Sequence, residues 1–558
     1  MGSRWRDTDA ERTGGGPRID AGPPHQPHFA LGGGGDQLAP VQRHRQPLRR
    51  VLQQRARGQS LIAGFLLALT LATPAQAKAP APIGVSVADT LLRRWPELDA
   101  TPTDCSGLAN CFSLNFATVP PAPSPKFWEY TYGVPLAGLQ RVYERTHDER
   151  YLAFIKKYVD RYVDAAGTIS YARPWPLGHD GKASPPNDPT IQDVIQPSVL
   201  LFGLYDATHD QRYLTAMTAT RQIFRTIKTS RTGAFWHKPS YPDQQWLDGI
   251  YMAEPFLVRY GALFADQVKP GDAQQCFRTA TGQIEVAAAH TMDPKTKLYY
   301  HAWNDALDGA WRGLAPPTRV PPPDGAPTSP VLWSRAIGWY IAGIVDVLEY
   351  LPAKDPERPA LRAILRNLAQ GLERFQDRKT GLWYQVIDVK GGPLPPTGGY
   401  AGEHDRPAQP NWLETSASAI FAYSLAKAVR LGDLPARYRA VAVKAWNGVR
   451  SRIDVDADGT AHIHGTVVGL SVGGSYNAYV NADVRTTAEL TSGAPPAPAS
   501  CPTAGQLSRA TTPPIGCKYI YVRDDVPQGF GAVLLASSEM EFPFTVPGPA
   551  QQPVARSK

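Results

Sequence analysis

The stretch Tyr241-Pro-Asp-Gln-Gln-Trp-Leu-Asp-Gly-Ile-Tyr-Met-Ala-Glu-Pro-Phe256 sets a carboxylate, Asp248, two residues after a tryptophan, Trp246. Ile250, Ala253 and Phe256 follow at helical spacing. Asp248 therefore falls near a helix start, where unpaired N–H groups and the helix dipole act on it. An aspartate there is either an ordinary N-terminal cap or, in a cup floored by Trp246, a group for proton chemistry. Other reactive residues recur in similar surroundings. Asp193 lies in Ile-Gln-Asp-Val-Ile-Gln-Pro, just before an apolar helical run. His237 closes the aromatic segment Thr232-Gly-Ala-Phe-Trp-His237, and His301 and Trp303 end the next one. Arg335 sits between Trp333 and Trp339, and Trp412 and Glu414 open a further helix.

Two carboxylates converging on one cup is the arrangement of glycoside chemistry, with one of them protonated to donate. Asp248 is the expected donor and Asp193 the second carboxylate. Burial beside Trp246, or a like-charged neighbour, would raise the pKa of the donor. Their separation cannot be read from sequence, so inverting and retaining routes both stay open. Trp246, Trp303, Trp333, Trp339 and Trp412 offer faces on which sugar rings stack, although each alone could equally be core packing. His237 and His301 suit sugar hydroxyls, and Arg335 suits a two-pronged bond to a carboxylate. Such a cup fits an acidic carbohydrate fragment. Glu414 has the alternative of capping or salt-bridging its own helix.

These residues are far apart in the chain, so something must gather them. Tyr143 and Tyr205 each begin the pattern Tyr-x-x-Thr-His-Asp-x-Arg-Tyr-Leu, offset by 62 positions. Each copy reads as helix, turn, helix, with Thr or Asp of the turn capping the second helix. Asp293-Pro-Lys-Thr-Lys-Leu-Tyr-Tyr-His301 matches Asp377-Arg-Lys-Thr-Gly-Leu-Trp-Tyr-Gln385 at an offset of 84, and 232–237 is a third, shorter copy. Helical stretches follow at 335–351, 359–375, 415–431 and 435–450. Repeated hairpins bury their faces only on neighbours. An open solenoid or protein-binding repeat scaffold would do so, but aromatic loops ending in His or Gln favour a ring around a shared cup. The expectation is an all-α toroid over 84–545, less regular from about 451, with a last apolar helix at 529–537 packed back on it. The segments 304–330 and 388–410 read as Pro/Gly-rich insertions at its rim.

The 558 residues are 42% hydrophobic and 19% charged, a soluble core-forming balance. The formal charge of +8 invites a nucleic-acid reading that its distribution removes. Residues 1–77 hold ten Arg against five acidic residues; the rest has 48 basic and 45 acidic, a net of +3 with no basic run. The apolar segment 61–72, preceded by Arg55 and Arg57 and followed by Ala75-Gln-Ala77, reads as an export signal over 51–77. It is too short to span a bilayer stably. The expected location is the periplasm or outside the cell, as a monomer or weak dimer with no membrane insertion after signal removal. Residues 1–50 lack periodicity and read as an unstructured or mis-annotated extension, and 546–558 as a disordered tail. Cys105–Cys111 and Cys501–Cys517 would close short loops and leave Cys276 over; a buried Cys276 or a different pairing is open. No spacing suggests zinc or redox chemistry.

Trp246-Leu-Asp-Gly-Ile-Tyr-Met-Ala-Glu-Pro-Phe-Leu257, Tyr300-His-Ala-Trp303, Trp333-Ser-Arg-Ala-Ile-Gly-Trp339 and Leu413-Glu-Thr-Ser-Ala-Ser-Ala-Ile-Phe421 together resemble the unsaturated rhamnogalacturonyl hydrolases of glycoside hydrolase family 105, relatives of the unsaturated glucuronyl hydrolases of family 88. The resemblance implies a six-hairpin (α/α)₆ barrel. It implies action on lyase-generated oligosaccharides that end in a 4,5-unsaturated uronic acid, with protonation at C4 and hydration at C5. It casts Asp248 as the acid/base, Asp193 as its assistant, His301 as a substrate ligand, and Arg335 and Trp339 as pocket lining, with no metal or organic cofactor. A conventional glycosidase or epimerase on the same fold, or an inactive carbohydrate-binding scaffold, are the alternatives. Ile337 departs from the family pattern, which has Asn there.

Overall fold

In the computed structural model, residues 81–94, 128–171, 188–307, 327–329, 331–389, 411–467, 522–523 and 526–542 are described. They form helices α1 (Ile83–Arg94), α2 (Tyr130–Thr146), α3 (Glu149–Tyr162) and α4 (Gln192–Ile195). A 3₁₀ turn, Gln196–Val199, joins α4 to α5 (Leu200–Thr208). Then come α6 (Gln211–Ile223), α7 (Leu247–Tyr260), α8 (Asp272–Thr291) and α9 (Ser334–Tyr350). The series ends with α10 (Arg358–Phe375), α11 (Thr415–Arg430), α12 (Tyr438–Arg450) and α13 (Pro527–Met540). The expected export signal, the N-terminal extension, the tail, most of both insertions and Cys105, Cys111, Cys501 and Cys517 lie outside the described residues. Cys276 is buried as a free thiol in α8, and burial pushes it up to about 11.

Both sequence repeats are turns of one geometry. His147 and His209 adopt left-handed φ values of 52° and 54° and end α2 and α5. Asp148 and Asp210 then cap α3 and α6, each accepting a backbone N–H two residues on at 3.0 Å. Asp293 and Asp377 likewise accept from Thr296 N–H at 2.8 Å and Thr380 N–H at 2.7 Å. Lys297 (φ 66°) and Gly381 (φ 81°) occupy the same left-handed position in these turns.

The turns send the chain back and forth between an inner and an outer layer. Among the inner elements, α2 packs on the 3₁₀ turn and α5, and α4 with that turn packs on α7. Helix α7 packs on α9, α9 on α11, α11 on α13, and α13 on α2. Helices α3, α6, α8, α10 and α12 lie behind their hairpin partners, and α1 packs on α13. The expected last helix thus packs between α2 and α11. Its fit to α2 depends on Gly531, where a Cβ would come within 2.6 Å of Val134. Glu541, just past α13, accepts from Ile83 N–H at 3.2 Å and Gly84 N–H at 2.9 Å, so the segment after α13 caps α1.

The described strands form four two-stranded antiparallel ribbons. Three matter for the site. Strand β1 (Gln244–Trp246) pairs with β2 (Ala302–Asn304), and β3 (Trp383–Tyr384) with β4 (Leu413–Glu414). After the ribbon of β5 (Ile453–Val455) and β6 (Ala461–Ile463), β7 (Thr466–Val467) pairs with β8 (Val522–Arg523). Strands β1 and β4 run directly into α7 and α11, so each ribbon fastens the start of an inner helix.

One buried residue gives a stability prediction. Glu254 of α7 is fully buried, and neither carboxyl oxygen has a hydrogen-bond partner among the described residues. Burial holds its pKa well above the usual carboxylate range. The unfolded chain releases this proton near the ordinary value while the folded chain keeps it, so folding stability falls as pH rises. Glu254→Gln removes that penalty. Its thermal midpoint is expected to gain on wild type progressively as pH rises above the ordinary carboxylate range; a gain independent of pH would refute the assignment.

Candidate active site

Inner helices that run the same way begin at the same end, and there the reactive residues meet. Tyr130 opens α2, Asp193 lies in the first turn of α4, Asp248 in that of α7, Arg335 in that of α9, and Glu414 caps α11. His237 is the junction. Its imidazole feels both Asp193 and Asp248, together with Lys238 and His301. Asp193 Oδ1 is 3.9 Å from His237 Nε2, and Asp193 Oδ2 is 2.7 Å from Lys238 Nζ. Asp248 Oδ2 is 3.0 Å from His301 Nε2. Gln192 faces His237 Nδ1 at 3.3 Å. It fills the space where a Cβ on Gly249 would stand, so the glycine after Asp248 lets α4 and α7 close together.

Electrostatics correct one expectation. Burial does raise the pKa of Asp248, but the neighbouring His301, His237 and Arg335 outweigh it and hold the carboxyl below its ordinary range. The free site therefore keeps Asp248 ionised. Burial brings His237 down to about 4, so it is neutral at neutral pH. Burial opposes the charge on Lys238 too, but Asp193 outweighs it and raises that pKa. Tyr130 is pushed up to about 12, by burial first and then by Asp193.

The five tryptophans are more buried than stacking platforms require. Trp246 is 5% exposed, with His237 stacked on it at 4.3 Å and Tyr241 at 5.0 Å between ring centres. Trp333 touches His301 at 4.7 Å and carries the Arg335 guanidinium at 4.9 Å. Trp339 stacks on Tyr251 within the core. Trp303 alternates with Ala302 along β2 and stacks on His290 of α8 at 3.9 Å, on the strand face opposite the Trp246–Ala302 cluster. Trp412 is 9% exposed, and its indole N–H has no acceptor among the described residues. The structure thus gathers Asp193, His237, Trp246, Asp248, His301, Trp333 and Arg335, and places Trp303 and Trp339 in packing roles. Ile337 is fully buried among apolar side chains, where the polar contact of an Asn is not made.

Glu414 takes the capping role: Ala417 N–H and Ser416 Oγ donate to it. Sequence reasoning missed Lys238, Tyr130 and Gln192. Lys238 directly follows His237 at the end of an aromatic loop, and Gln192 precedes Asp193, so adjacency was an available signal. Nothing marked Tyr130. Among the described residues no group of three or more His, Cys, Asp or Glu is placed to hold a metal ion.

The family model for glycosyl hydrolase family 88 matches residues 113–495, more than half of the sequence. The chain belongs to glycosyl hydrolase family 88. This family 88 chain is 31% identical over 228 residues to Protein Atu3128 of Agrobacterium fabrum, covering 40% of the chain and 82% of that relative. It is 26% identical over 267 residues to the unsaturated rhamnogalacturonyl hydrolase YesR of Bacillus subtilis, covering 47% of the chain and 64% of that relative, slightly under two thirds of its length. Among solved structures, a family 105 glycoside hydrolase from C. acetobutylicum superposes with a TM-score of 0.57 at 25% identity, covering 82% of this chain and 99% of the other.

Proposed function

We propose that this family 88 chain removes a 4,5-unsaturated uronic acid from the non-reducing end of lyase-generated oligosaccharides, most plainly of the rhamnogalacturonan type. The observation that carries the reading is that Asp193, 3.9 Å from His237, and Asp248, 3.0 Å from His301, both act electrostatically on His237 from the first turns of α4 and α7. Those positive dipole ends, with Arg335 and Lys238, suit a substrate carboxylate. The likeness to YesR supports the substrate class. The ring of neighbours that returns from α13 to α2 supports a closed six-hairpin barrel, with α1 and α13 as the sixth pair. The leader-like segment 51–77 supports action in the periplasm or outside the cell.

In this reading Asp248 delivers a proton to C4 of the ring enol ether. Positive charge then develops on C5 and the ring oxygen, near the Asp193 carboxylate. Water adds to C5 and returns a proton to Asp248. The hydrated sugar opens and releases its neighbour. His301, 3.0 Å from Asp248, orients the acid. The test is loss of the ultraviolet absorbance of the conjugated enol-uronate during incubation with rhamnogalacturonan lyase digests. A freed enol-uronate also opens to a keto acid and loses its absorbance, so added methanol separates the routes: hydration captures it at C5, whereas a conventional glycosidase captures solvent at C1, and a product with no C5 adduct would refute the hydration route.

Because the free site holds Asp248 ionised, the proton must be taken up on binding. A uronate carboxylate beside Arg335 adds negative charge and excludes water, and both raise the pKa of Asp248. The alkaline limb of kcat/KM, which reports free enzyme, is therefore expected at lower pH than the alkaline limb of kcat, which reports the complex. Coincident limbs would show that substrate does not retune the acid.

A further inference from the structure

The peptide of Val467, on β7, lies between two opposite charges. Its N–H donates to Glu414 Oε1 at 3.1 Å, and its carbonyl accepts from Arg335 Nη1. Neighbouring contacts lock the same segment: Thr415 N–H donates to Gly465 O at 3.0 Å, and Thr415 Oγ1 to His464 O at 2.7 Å. Glu414 is fully buried and Arg335 nearly so. The capping contacts account for part of Glu414, since its side chain also reaches past α11 to a different strand. Helix capping alone does not call for that reach; a shorter Ser, Thr, Asn or Asp serves at such a position.

We propose that Glu414 is a positioning residue for the acid–base chemistry: it holds the Val467 peptide against Arg335, neutralises that guanidinium, and so sets the charge that Arg335 brings to bear on Asp248. The proposal rests on the assignment of Asp248 as the acid. The groups facing Asp248 are His301 at the start of β2, His237 on the aromatic loop and Arg335 on α9. Those facing Arg335 are Glu414, Tyr130 and Asp248. Of the groups facing Arg335, Glu414 is a carboxylate outside the proposed reaction, so its charge can be changed without touching a reacting atom. Removing it has one sign. A distant repulsion on the Asp248 carboxylate is lost and Arg335 loses part of the negative charge that faces it, and both favour ionised Asp248.

The experiment is the pH dependence of kcat in Glu414→Gln, which keeps an acceptor for Val467 N–H but removes the charge. The alkaline limb is expected to move to lower pH by about half a unit to one unit, with kcat at neutral pH lowered about three- to tenfold. Arg335→Gln is expected to move the limb the opposite way. If Glu414→Gln does not fold, Glu414→Asp draws the charge back by one methylene and moves the limb the same way by less. A limb left at its wild-type position in a folded Glu414 variant overturns the proposal. Asp248→Asn separates the two failures: if it keeps its turnover, the acid assignment is wrong; if it is inert while the Glu414 limb stays still, only the role of Glu414 is wrong.

Discussion

Replacing Asp248 by Asn is expected to lower kcat by at least about 100-fold, the usual cost of removing a general acid–base group. The amide has the shape of the carboxyl but no proton of suitable pKa to give to a ring carbon. Stability should change little. The contact with His301 is lost, but so is the cost of keeping a carboxylate ionised in a buried site, and the two oppose each other. A thermal midpoint within a few degrees of wild type would show that the loss is chemical. Near-wild-type turnover would remove Asp248 from the acid role. Asp193→Asn makes a useful contrast. It leaves the Lys238 ammonium, 2.7 Å away, without its partner in a confined space, so it should cost both turnover and stability.

The second large effect lies well away from the chemistry. Lys427 of α11 is fully buried and reaches Asp346 at 2.6 Å and Glu349 at 2.8 Å, both on α9. Arg141 of α2 meets the same Glu349 at 3.1 Å. Arg430 of α11 meets Glu539 of α13 at 2.8 Å. Four inner helices are tied by this one network. Lys427→Met leaves two carboxylates short of a cation in the interior, a change that typically costs about 3–5 kcal/mol. Thermal or urea unfolding measures it, and a loss under about 1 kcal/mol would show that water reaches the network. Acid should have a related effect. Burial opposes the charge on Glu349, but Lys427 and Arg141 outweigh it and hold the pKa far below the ordinary carboxylate range. A depressed pKa gives stability that is present above the unfolded value and lost as pH falls through the folded one. Unfolding on acidification is therefore expected to be delayed to strongly acid pH in wild type, and to begin earlier in Lys427→Met.

The local structure was legible because it is written locally. The Thr-His-Asp and Asp-x-x-Thr turns are set by side chains that bond their own backbone two or three residues on, and sequence carries that fully. Helices at 335–351 and 415–431 came within one residue of α9 and α11 for the same reason: their apolar period is long and unbroken. The resemblance in the Trp246–Leu257 and Trp333–Trp339 motifs pointed to the family to which the chain belongs. Only the tertiary structure decided which members of those motifs face one another. Trp303 and Ala302 are neighbours in sequence but turn to opposite sides of β2, so one packs on α8 and the other on Trp246. Lys238 acquired its meaning from Asp193, 45 positions earlier, and Glu414 from Val467, 53 positions later. The charge state of Asp248 depends on three separate segments that meet at the ends of the inner helices. Periodicity and turn chemistry act over a few residues and so are fixed by the chain itself; charge acts through space, and its balance exists only once the helices have met.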